Sequence, residues 1–272
     1  VKGRDDLTAL AAAVNRMLDR VQTSVEAQRN LLDDVGHELR TPIAVVRGHL
    51  ELTDPSDPED VHQTQLLAID ELDRMGVLID DLILLAKSAQ SDFITPVDTD
   101  VAELTEMVFD KSLALGERRW QLESAAFTRA MIDPTRITQA WLQLVANAVK
   151  YSSHYSTVRL GSAVRGGRLL MWVGDEGIGI AAEEIEVVRQ RFKRTAGAQE
   201  MSSGTGLGLS IVETIVAAHG GRLDIRSEVG EGSVFTMTIP LEASPVPSSS
   251  ETATSGDAGA SPPEQSPTAS KE

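Results

Sequence analysis

The amino-acid sequence predicts an α+β fold in which a long antiparallel helical hairpin precedes an α/β sandwich. Apolar residues repeat with heptad spacing through residues 7–50 and again through residues 72–86, which indicates two amphipathic helices. The sequence TDPSDP at residues 53–58 is typical of a turn, so the two helices are expected to pack antiparallel. From about Phe93 onward, strand-like segments with hairpin turns alternate with helical segments, which favours a sandwich over a parallel βαβ sheet.

The apolar stripe of the predicted hairpin argues for a dimer. Its first helix carries a heptad over residues 7–21, a four-residue stutter at Val25, and then a second apolar run. The inward positions of this second run include Leu32, Val35, Leu39 and Ile43. One hairpin cannot cover such a stripe by itself, so two copies are expected to complete a four-helix bundle.

Composition and charge exclude several classes of protein. The 272 residues are 41% hydrophobic and 24% charged, and the formal net charge of −16 argues against a nucleic-acid binder. The absence of cysteine excludes disulfides and thiolate metal sites. No run approaches the roughly 18 apolar residues of a membrane span. Because the chain begins at Val1 within a helical pattern, we interpret it as a fragment whose membrane attachment would lie in a missing upstream segment.

The second half of the chain predicts a series of short elements. Asp100 is placed to cap a helix that runs to Leu115, and Pro134 is placed to begin a long helix that ends near Tyr151. Residues after Leu241 are rich in Ser, Pro and Ala and are expected to be disordered. The remaining predicted elements are strands at 120–123 and 128–132, a hairpin of 157–165 and 168–173 around Gly166-Gly167, helices at 182–192 and 207–219, and a hairpin of 222–227 and 233–240.

His37 is the most informative residue of the first helix. If the heptad residues point inward, a step of 100° per residue places His37 on the outer face. A lone helical histidine is usually a solvated surface residue, but Glu38 here supplies a neighbouring carboxylate. Thr41 lies one turn further on the same face, and Pro42 bends the helix at that point. An exposed imidazole beside a base is suited to nucleophilic chemistry, whereas the other four histidines have no comparable surroundings.

Three segments of the second half carry features of a nucleotide site. Asn147 and Lys150 share a helical face, where the amide oxygen is a candidate Mg²⁺ ligand, although an isolated mid-helix Asn is more often a surface residue. Asp175, in the sequence GDEGIG, can accept a hydrogen bond from the adenine amino group; the alternative is an ordinary glycine-rich turn. The sequence GTGLGL at 204–209 opens a helix whose N–H groups can bind phosphate.

These motifs resemble those of the sensor histidine kinases. HELRTP at 37–42 resembles the phosphoacceptor box of that family. The segments around Asn147, Asp175, Phe192 and 204–209 resemble its N, first glycine, F and second glycine boxes, in the family's order. The resemblance extends from residue 31 to about residue 240, and the glycine-rich loop of residues 195–206 resembles the ATP lid.

The chain departs from the family at two positions, and its first residues carry a further resemblance. Family members often have Asn where Gln143 stands and Phe where Val188 stands. The segment before the phosphoacceptor helix, GRDDLTALAAAVNRMLDRV, resembles the second half of a HAMP linker.

The resemblance implies an activity, cofactors and partners. The chain would be a homodimeric kinase with a GHKL-type, Bergerat-fold domain that uses ATP and Mg²⁺ to phosphorylate His37. It would pass the phosphoryl group to an aspartate of a response-regulator receiver domain, and Thr41 would orient water when that regulator is dephosphorylated. The implied location is the cytoplasmic portion of a bacterial inner-membrane receptor.

These interpretations define predicted domains and sites. The domains are residues 1–23 (HAMP linker end), 24–91 (dimerisation and phosphotransfer hairpin), 92–242 (ATP-binding domain) and 243–272 (disordered tail). The predicted catalytic residues are His37, Glu38 and Thr41, and the predicted metal ligand is Asn147. The predicted nucleotide-binding residues are Asn147, Lys150, Tyr151, Asp175, Gly177, Gly179, Gly204, Thr205, Gly206, Leu207 and Gly208.

Two alternative functions fit the sequence less well than a kinase does. A GHKL-type ATPase would resemble DNA gyrase or the heat-shock chaperones, which place a water-activating glutamate where Gln143 stands, and an amide cannot accept a proton. A degenerate kinase that binds nucleotide only as a dimeric scaffold would be expected to lose a motif residue. His37, Asn147 and Asp175 are all present.

Overall fold

The computed structural model describes residues 35–88, 90, 92–193 and 205–241, so the predicted HAMP end and disordered tail lie outside the described residues. The helices are α1 (described from 35 to 52), α2 (Pro58–Lys87), α3 (Val101–Ser112), α4 (Pro134–Lys150), α5 (Ile185–Val188) and α6 (Gly208–Ala218). The strands are β1 (Val97–Asp100), β2 (Arg119–Ser124), β3 (Arg129–Ile132), β4 (Thr157–Arg165), β5 (Arg168–Asp175), β6 (Arg222–Glu228) and β7 (Gly232–Pro240). Within this part of the chain, no helix is both long and apolar enough to cross a membrane.

Helices α1 and α2 form the predicted helical hairpin. The hydroxyl groups of Thr53 and Thr64 share a hydrogen bond of 2.9 Å near the connection. Asp57 caps α2 by accepting a hydrogen bond of 2.9 Å from the backbone N–H of Glu59, and Pro58 is the first residue of the helix. The turn expected at residues 53–58 is therefore confirmed.

The apolar heptad of the hairpin remains largely exposed. Ile43, Leu50 and Leu72 are 54%, 59% and 59% exposed, although their spacing predicts inward positions. The two helices of one chain do not cover this apolar stripe by packing against each other. Leu84 and Leu85 near the end of α2, in contrast, are buried in the main core. This is the exposure expected of one half of a four-helix bundle.

The main sheet has five strands in the order β2-β4-β5-β7-β6, and β1 pairs with β3 in a separate two-stranded sheet. The predicted hairpins β4–β5 and β6–β7 are confirmed as antiparallel pairs. β2 instead pairs parallel with β4, which the sequence did not predict. The reason is that β3 and α4 lie between them in the chain and carry it back across the sheet.

Three helices, α3, α4 and α6, pack against one face of this sheet and enclose the core. The indole of Trp141 on α4 is fully buried, and its Nε1–H donates a hydrogen bond of 3.2 Å to the carbonyl of Trp172 on β5. Asp100 caps α3 and Asp133 caps α4 through their carboxylates. These caps and the buried faces of the helices confirm the predicted α+β class.

Two predicted helices are shorter in the structure. The helix expected from Asp100 to Leu115 ends at Ser112 and tightens into a 3₁₀ turn over Leu113–Leu115. The helix expected at 182–192 is reduced to one 3₁₀ turn and the four residues of α5. Phe192 has φ of +59°, and its N–H donates to the carbonyl of Gly206 at 3.0 Å. That long-range bond holds the chain in a conformation that a right-handed helix does not allow.

Candidate functional site

A cavity of about 710 Å³ lies between the helical hairpin and the region where α4, β5 and α6 meet. It brings together residues that are far apart in the sequence, from Glu38 on α1 to Phe235 on β7. The predicted site residues that line it are Glu38, Thr41, Asn147, Lys150, Tyr151, Asp175, Gly179, Thr205, Gly206 and Gly208. Gly177 and Leu207 do not line the cavity but are next to lining residues in the chain, and Gly204 lies outside the described residues.

One face of α4 forms the polar wall of the cavity. Gln143, Asn147 and Lys150 follow one another at helical spacing, while the opposite face of α4 is buried in the core. The ammonium Nζ of Lys150 lies 5.0 Å from the centre of the Tyr151 ring, a cation–π geometry that holds the charge at this wall. The wall therefore presents amide oxygens beside a positive charge.

Asp175 lies at the end of β5 and is 5% exposed. Burial raises the pKa of its carboxyl from 3.8 to about 6, against the opposing effects of backbone N–H donors from Gly177 and Ser233 and of the Arg159 charge. The N–H of Gly177 donates to Oδ1 at 2.9 Å, which orients the carboxyl. Asp175 therefore places a buried hydrogen-bond acceptor at the cavity wall.

Gly179 allows the loop after Asp175 to pass close to another strand end. Its φ is +69°, and a Cβ atom there would lie 1.9 Å from the carbonyl oxygen of Glu228. The N–H of Gly230 donates to the carbonyl of Ile178 at 2.8 Å, so the two loops are also hydrogen-bonded. Only glycine fits this position.

The N-terminus of α6 closes the cavity on a third side. Gly208, the first residue of the helix, lies so close to α4 that a Cβ atom would meet Nε2 of Gln143 at 2.2 Å. Leu207 is fully buried and anchors the start of α6 in the core, while Thr205 and Gly206 face the cavity. The N–H groups of this helix end are therefore directed at the space beside α4.

On α1, the side chains that line the cavity are Glu38, Thr41 and Pro42, and His37 is exposed outside that lining among the described residues. Nη1 of Arg40 donates a hydrogen bond of 3.3 Å to Nδ1 of His37, because a guanidinium has only donors. The hydroxyl of Thr41 donates to the carbonyl of His37 at 3.4 Å. The predicted outward position of His37 is observed, and the neighbour of its Nδ1 atom is Arg40.

The structure adds residues to the cavity that the sequence did not single out. The sequence marks Gln143 only as a difference from the family and not as a site residue. Its position one turn before Asn147 nevertheless places it on the same helical face. Arg74 and Asp81 of α2 line the hairpin wall and carry no distinguishing motif. Burial, followed by the nearby charge of Asp80, raises the pKa of Asp81 to about 6, and its Oδ2 has no partner among the described residues.

Comparison with known families matches both halves of the chain. Residues 27–91 match the family described as His Kinase A (phospho-acceptor) domain. Residues 132–243 match the family described as Histidine kinase-, DNA gyrase B-, and HSP90-like ATPase. The two domains occur in this order and together account for more than half of the chain. This chain belongs to the sensor histidine kinases.

Known histidine kinases resemble the chain in sequence and in structure. The signal transduction histidine-protein kinase ArlS of Staphylococcus aureus (strain USA300) is 26% identical over 242 residues, which are 86% of this chain and 53% of ArlS. The chain thus spans about half the length of the curated relatives it matches. The Acinetobacter baumannii histidine kinase AdeS has a TM-score of 0.59 at 26% identity, over 76% of this chain and 98% of AdeS.

A second similar solved structure contains AMPPNP, a nucleotide analogue. Full-length ShkA in complex with AMPPNP has a TM-score of 0.54 at 28% identity, over 76% of this chain and 45% of ShkA. In the present histidine kinase, the ATPase-family match covers the elements that form the α4, β5 and α6 walls of the cavity. These walls belong to an ATP-binding domain.

Proposed function

We propose that this histidine kinase uses ATP to phosphorylate its own His37 and then passes the phosphoryl group to an aspartate of a response-regulator receiver domain. One observation carries the proposal: a single cavity joins the ATP-binding walls to Glu38 and Thr41 on the helix that bears His37. A nucleotide in that cavity would present its phosphates to the acceptor helix. The chain is proposed to act as a homodimer, because its hairpin leaves a heptad uncovered.

The adenine and phosphate ends of ATP have separate partners in this proposal. The Asp175 carboxylate accepts a hydrogen bond from the adenine amino group at the buried end. Lys150 and the N-terminus of α6 offset the charge of the phosphates. This orientation directs the γ-phosphate away from β5 and toward the hairpin.

Mg²⁺ fits the donor set at α4. Asn147 offers an amide oxygen, and no group of three or more carboxylates or imidazoles forms a complete metal site in the described part of the chain. Magnesium prefers hard oxygen ligands and is commonly shared between one or two protein groups and substrate phosphates. Asn147 is therefore proposed to hold a Mg²⁺ ion whose other ligands are phosphate oxygens and water.

The proposed transfer proceeds by attack of one imidazole nitrogen on the γ-phosphorus. The new N–P bond forms as the bond from the γ-phosphorus to the β–γ bridging oxygen breaks, and ADP leaves. Glu38 accepts the proton from the other imidazole nitrogen. Because Arg40 contacts Nδ1 in the present geometry, the ring of His37 must turn away from Arg40 before Glu38 can take this role.

The cavity supports phosphoryl transfer better than ATP hydrolysis. Gln143, one turn before Asn147, faces the cavity and carries no carboxylate to activate water.

Thr41 is proposed to orient water only when a phosphorylated regulator is docked on the hairpin. That water would remove the phosphoryl group from the regulator's aspartate. We further propose a cytoplasmic position for this chain, attached to the membrane by a segment outside it.

The test is incubation with radiolabelled ATP, followed by acid treatment of the product. His37→Gln should abolish labelling and leave ATP affinity unchanged, because the side chain lies outside the cavity lining. His49→Gln is the matched control, since His49 is also exposed on α1. Label that resists acid, or acid-labile label at the parental rate in His37→Gln, would remove His37 as the acceptor.

A further inference from the structure

Arg74 is the only cationic residue that the hairpin contributes to the described lining of the cavity. It lies on α2, and its guanidinium forms ion pairs with Asp70 (Nη2 to Oδ2, 2.6 Å) and with Glu71 (Nη1 to Oε2, 3.3 Å). Both carboxylates line the same cavity. The guanidinium thus faces the space that receives the phosphates of ATP, on the side of the phosphoacceptor helix.

The charge of the hairpin wall makes this position unusual. Asp70, Glu71, Asp73 and Asp81 also line the wall from α2, so without Arg74 the wall would repel the phosphate groups. The side chains of Arg74 and Asp70 are 48% and 64% exposed, so packing does not lock this pair, and exposed ion pairs along a helix are weak. A phosphate oxygen can therefore compete with Asp70 and Glu71 for the guanidinium.

We infer that Arg74 is a further catalytic residue of the kinase, whose guanidinium leaves Asp70 and Glu71 to bind the γ-phosphoryl oxygens during transfer to His37. The inference rests on the proposed function. The planar guanidinium can donate two parallel hydrogen bonds to phosphate, and catalysis of phosphoryl transfer depends mainly on such positioning and charge stabilisation. Arg74 gives up no proton; the bond changes and the acceptance of the proton by Glu38 are those of the transfer itself.

The location of Arg74 predicts which kinetic constant it affects. Lys150 and Asn147 act on the nucleotide from the ATP-binding domain, whereas Arg74 acts from the hairpin that carries His37. Ground-state binding of ATP is complete without Arg74, so KM for ATP should not change when Arg74 is replaced. The rate constant for autophosphorylation should fall, because the charge that develops on the transferring group loses a donor.

The test compares neighbouring variants that have opposite expected effects. Arg74→Ala should lower kcat for autophosphorylation by about 10²-fold. Arg74→Lys should have a kcat between those of Arg74→Ala and the parent, because lysine keeps the positive charge but cannot donate two parallel hydrogen bonds. Asp70→Asn should raise kcat, since it releases the guanidinium. Arg129→Ala is the control: Arg129 forms an exposed ion pair with Asp98 (Nε to Oδ2, 2.9 Å) and lines neither this cavity nor the groove between α1 and α2 among the described residues.

The outcomes separate the inference from the proposed function. If Arg74→Ala and Asp70→Asn lower kcat equally, the ion pair is only structural and the inference is wrong. If the parent shows acid-labile label and Arg74→Ala labels at the same rate, the inference fails while the proposed function stands. If the parent forms no acid-labile label, the proposed function itself fails. If Arg74→Ala lowers the melting temperature, the kcat values of Arg74→Lys and Asp70→Asn test the inference instead.

Discussion

Asp175 combines deep burial with a proposed role as a hydrogen-bond acceptor for adenine, which a negative charge favours. Its pKa of about 6 means that a small part of the population is already neutral near pH 7. The adenine amino group is a donor, and an ionised carboxylate accepts its hydrogen bond more strongly than a neutral carboxyl does. Nucleotide binding should therefore release protons from this residue at mildly acidic pH.

ATP affinity is expected to fall as the pH is lowered through about 6, because protonation of Asp175 replaces a charged acceptor with a weaker neutral one. Asp175→Asn should bind ATP more weakly near neutral pH and lack this component of the pH dependence. The phosphates of ATP titrate equally in both proteins, so isothermal titration of the two over the same pH series isolates Asp175. Parallel affinity curves for parent and variant would contradict the assignment.

The sign of the stability effect is opposite to that of binding. The pKa of Asp175 is raised in the folded state, so the associated stabilisation is complete below its ordinary value of 3.8 and is lost as the pH rises through about 6. The nucleotide-free fold thus carries an unfavourable charge at neutral pH. Retaining it is consistent with selection for adenine recognition at the expense of stability.

At the scale of elements, Asp133 and His219 join the N-terminus of α4 to the C-terminus of α6. The Asp133 carboxylate accepts the N–H of Arg136 at 3.0 Å as the cap of α4, and accepts the N–H of Thr95 at 2.9 Å. The N–H of Asp133 donates to Nε2 of His219 at 3.0 Å. Nε2 is therefore the acceptor, and Nδ1–H donates to the carbonyl of Ile215 at 2.8 Å.

Removal of either side chain should destabilise the fold. His219→Ala leaves the N–H of Asp133 without its partner and should cost about 1–3 kcal/mol. Asp133→Ala removes the cap of α4 and should cost about 1–2 kcal/mol. Urea denaturation measures both, with His154→Ala as the control because His154 is exposed. Equal urea midpoints for His219→Ala and His154→Ala would mean that the contact contributes nothing.

At the scale of the whole molecule, the hairpin and the ATP-binding domain differ in how they bury apolar surface. The sheet and its helices enclose a core of fully buried side chains such as Trp141, Leu160 and Met237. The groove between α1 and α2, lined by apolar residues such as Ile43 and Leu72 and by the Arg47–Glu51 ion pair, stays open. The open groove therefore supports the proposed homodimer through the hairpin.

A charge placed in this groove should separate the dimer. Leu72→Glu is expected to give a monomer, because a carboxylate cannot be buried unpaired between helices. Val164→Glu is the control, since Val164 is 44% exposed on β4 and lies outside the heptad. Analytical ultracentrifugation at micromolar concentration measures both masses. A parent that sediments as a monomer, or a dimeric Leu72→Glu, would contradict the bundle.

The sequence by itself determined the features that depend on near neighbours. Helical periodicity placed His37 on the outer face of α1, and residues 53–58 defined the end of that helix and the start of α2. Asp100 and Pro134 marked the beginnings of α3 and α4. Caps, turns and periodicity involve residues within a few positions of each other, so their effects are readable without a tertiary structure.

Tertiary structure alone decided which distant residues share the cavity. Phe192 leaves the helical conformation because its N–H bonds to Gly206, and β2 lies parallel to β4 because α4 carries the chain back. Arg74 has no motif, yet it faces the nucleotide walls because α2 packs against the ATP-binding domain. These features depend on contacts between segments far apart in the chain, whose energies no local pattern records.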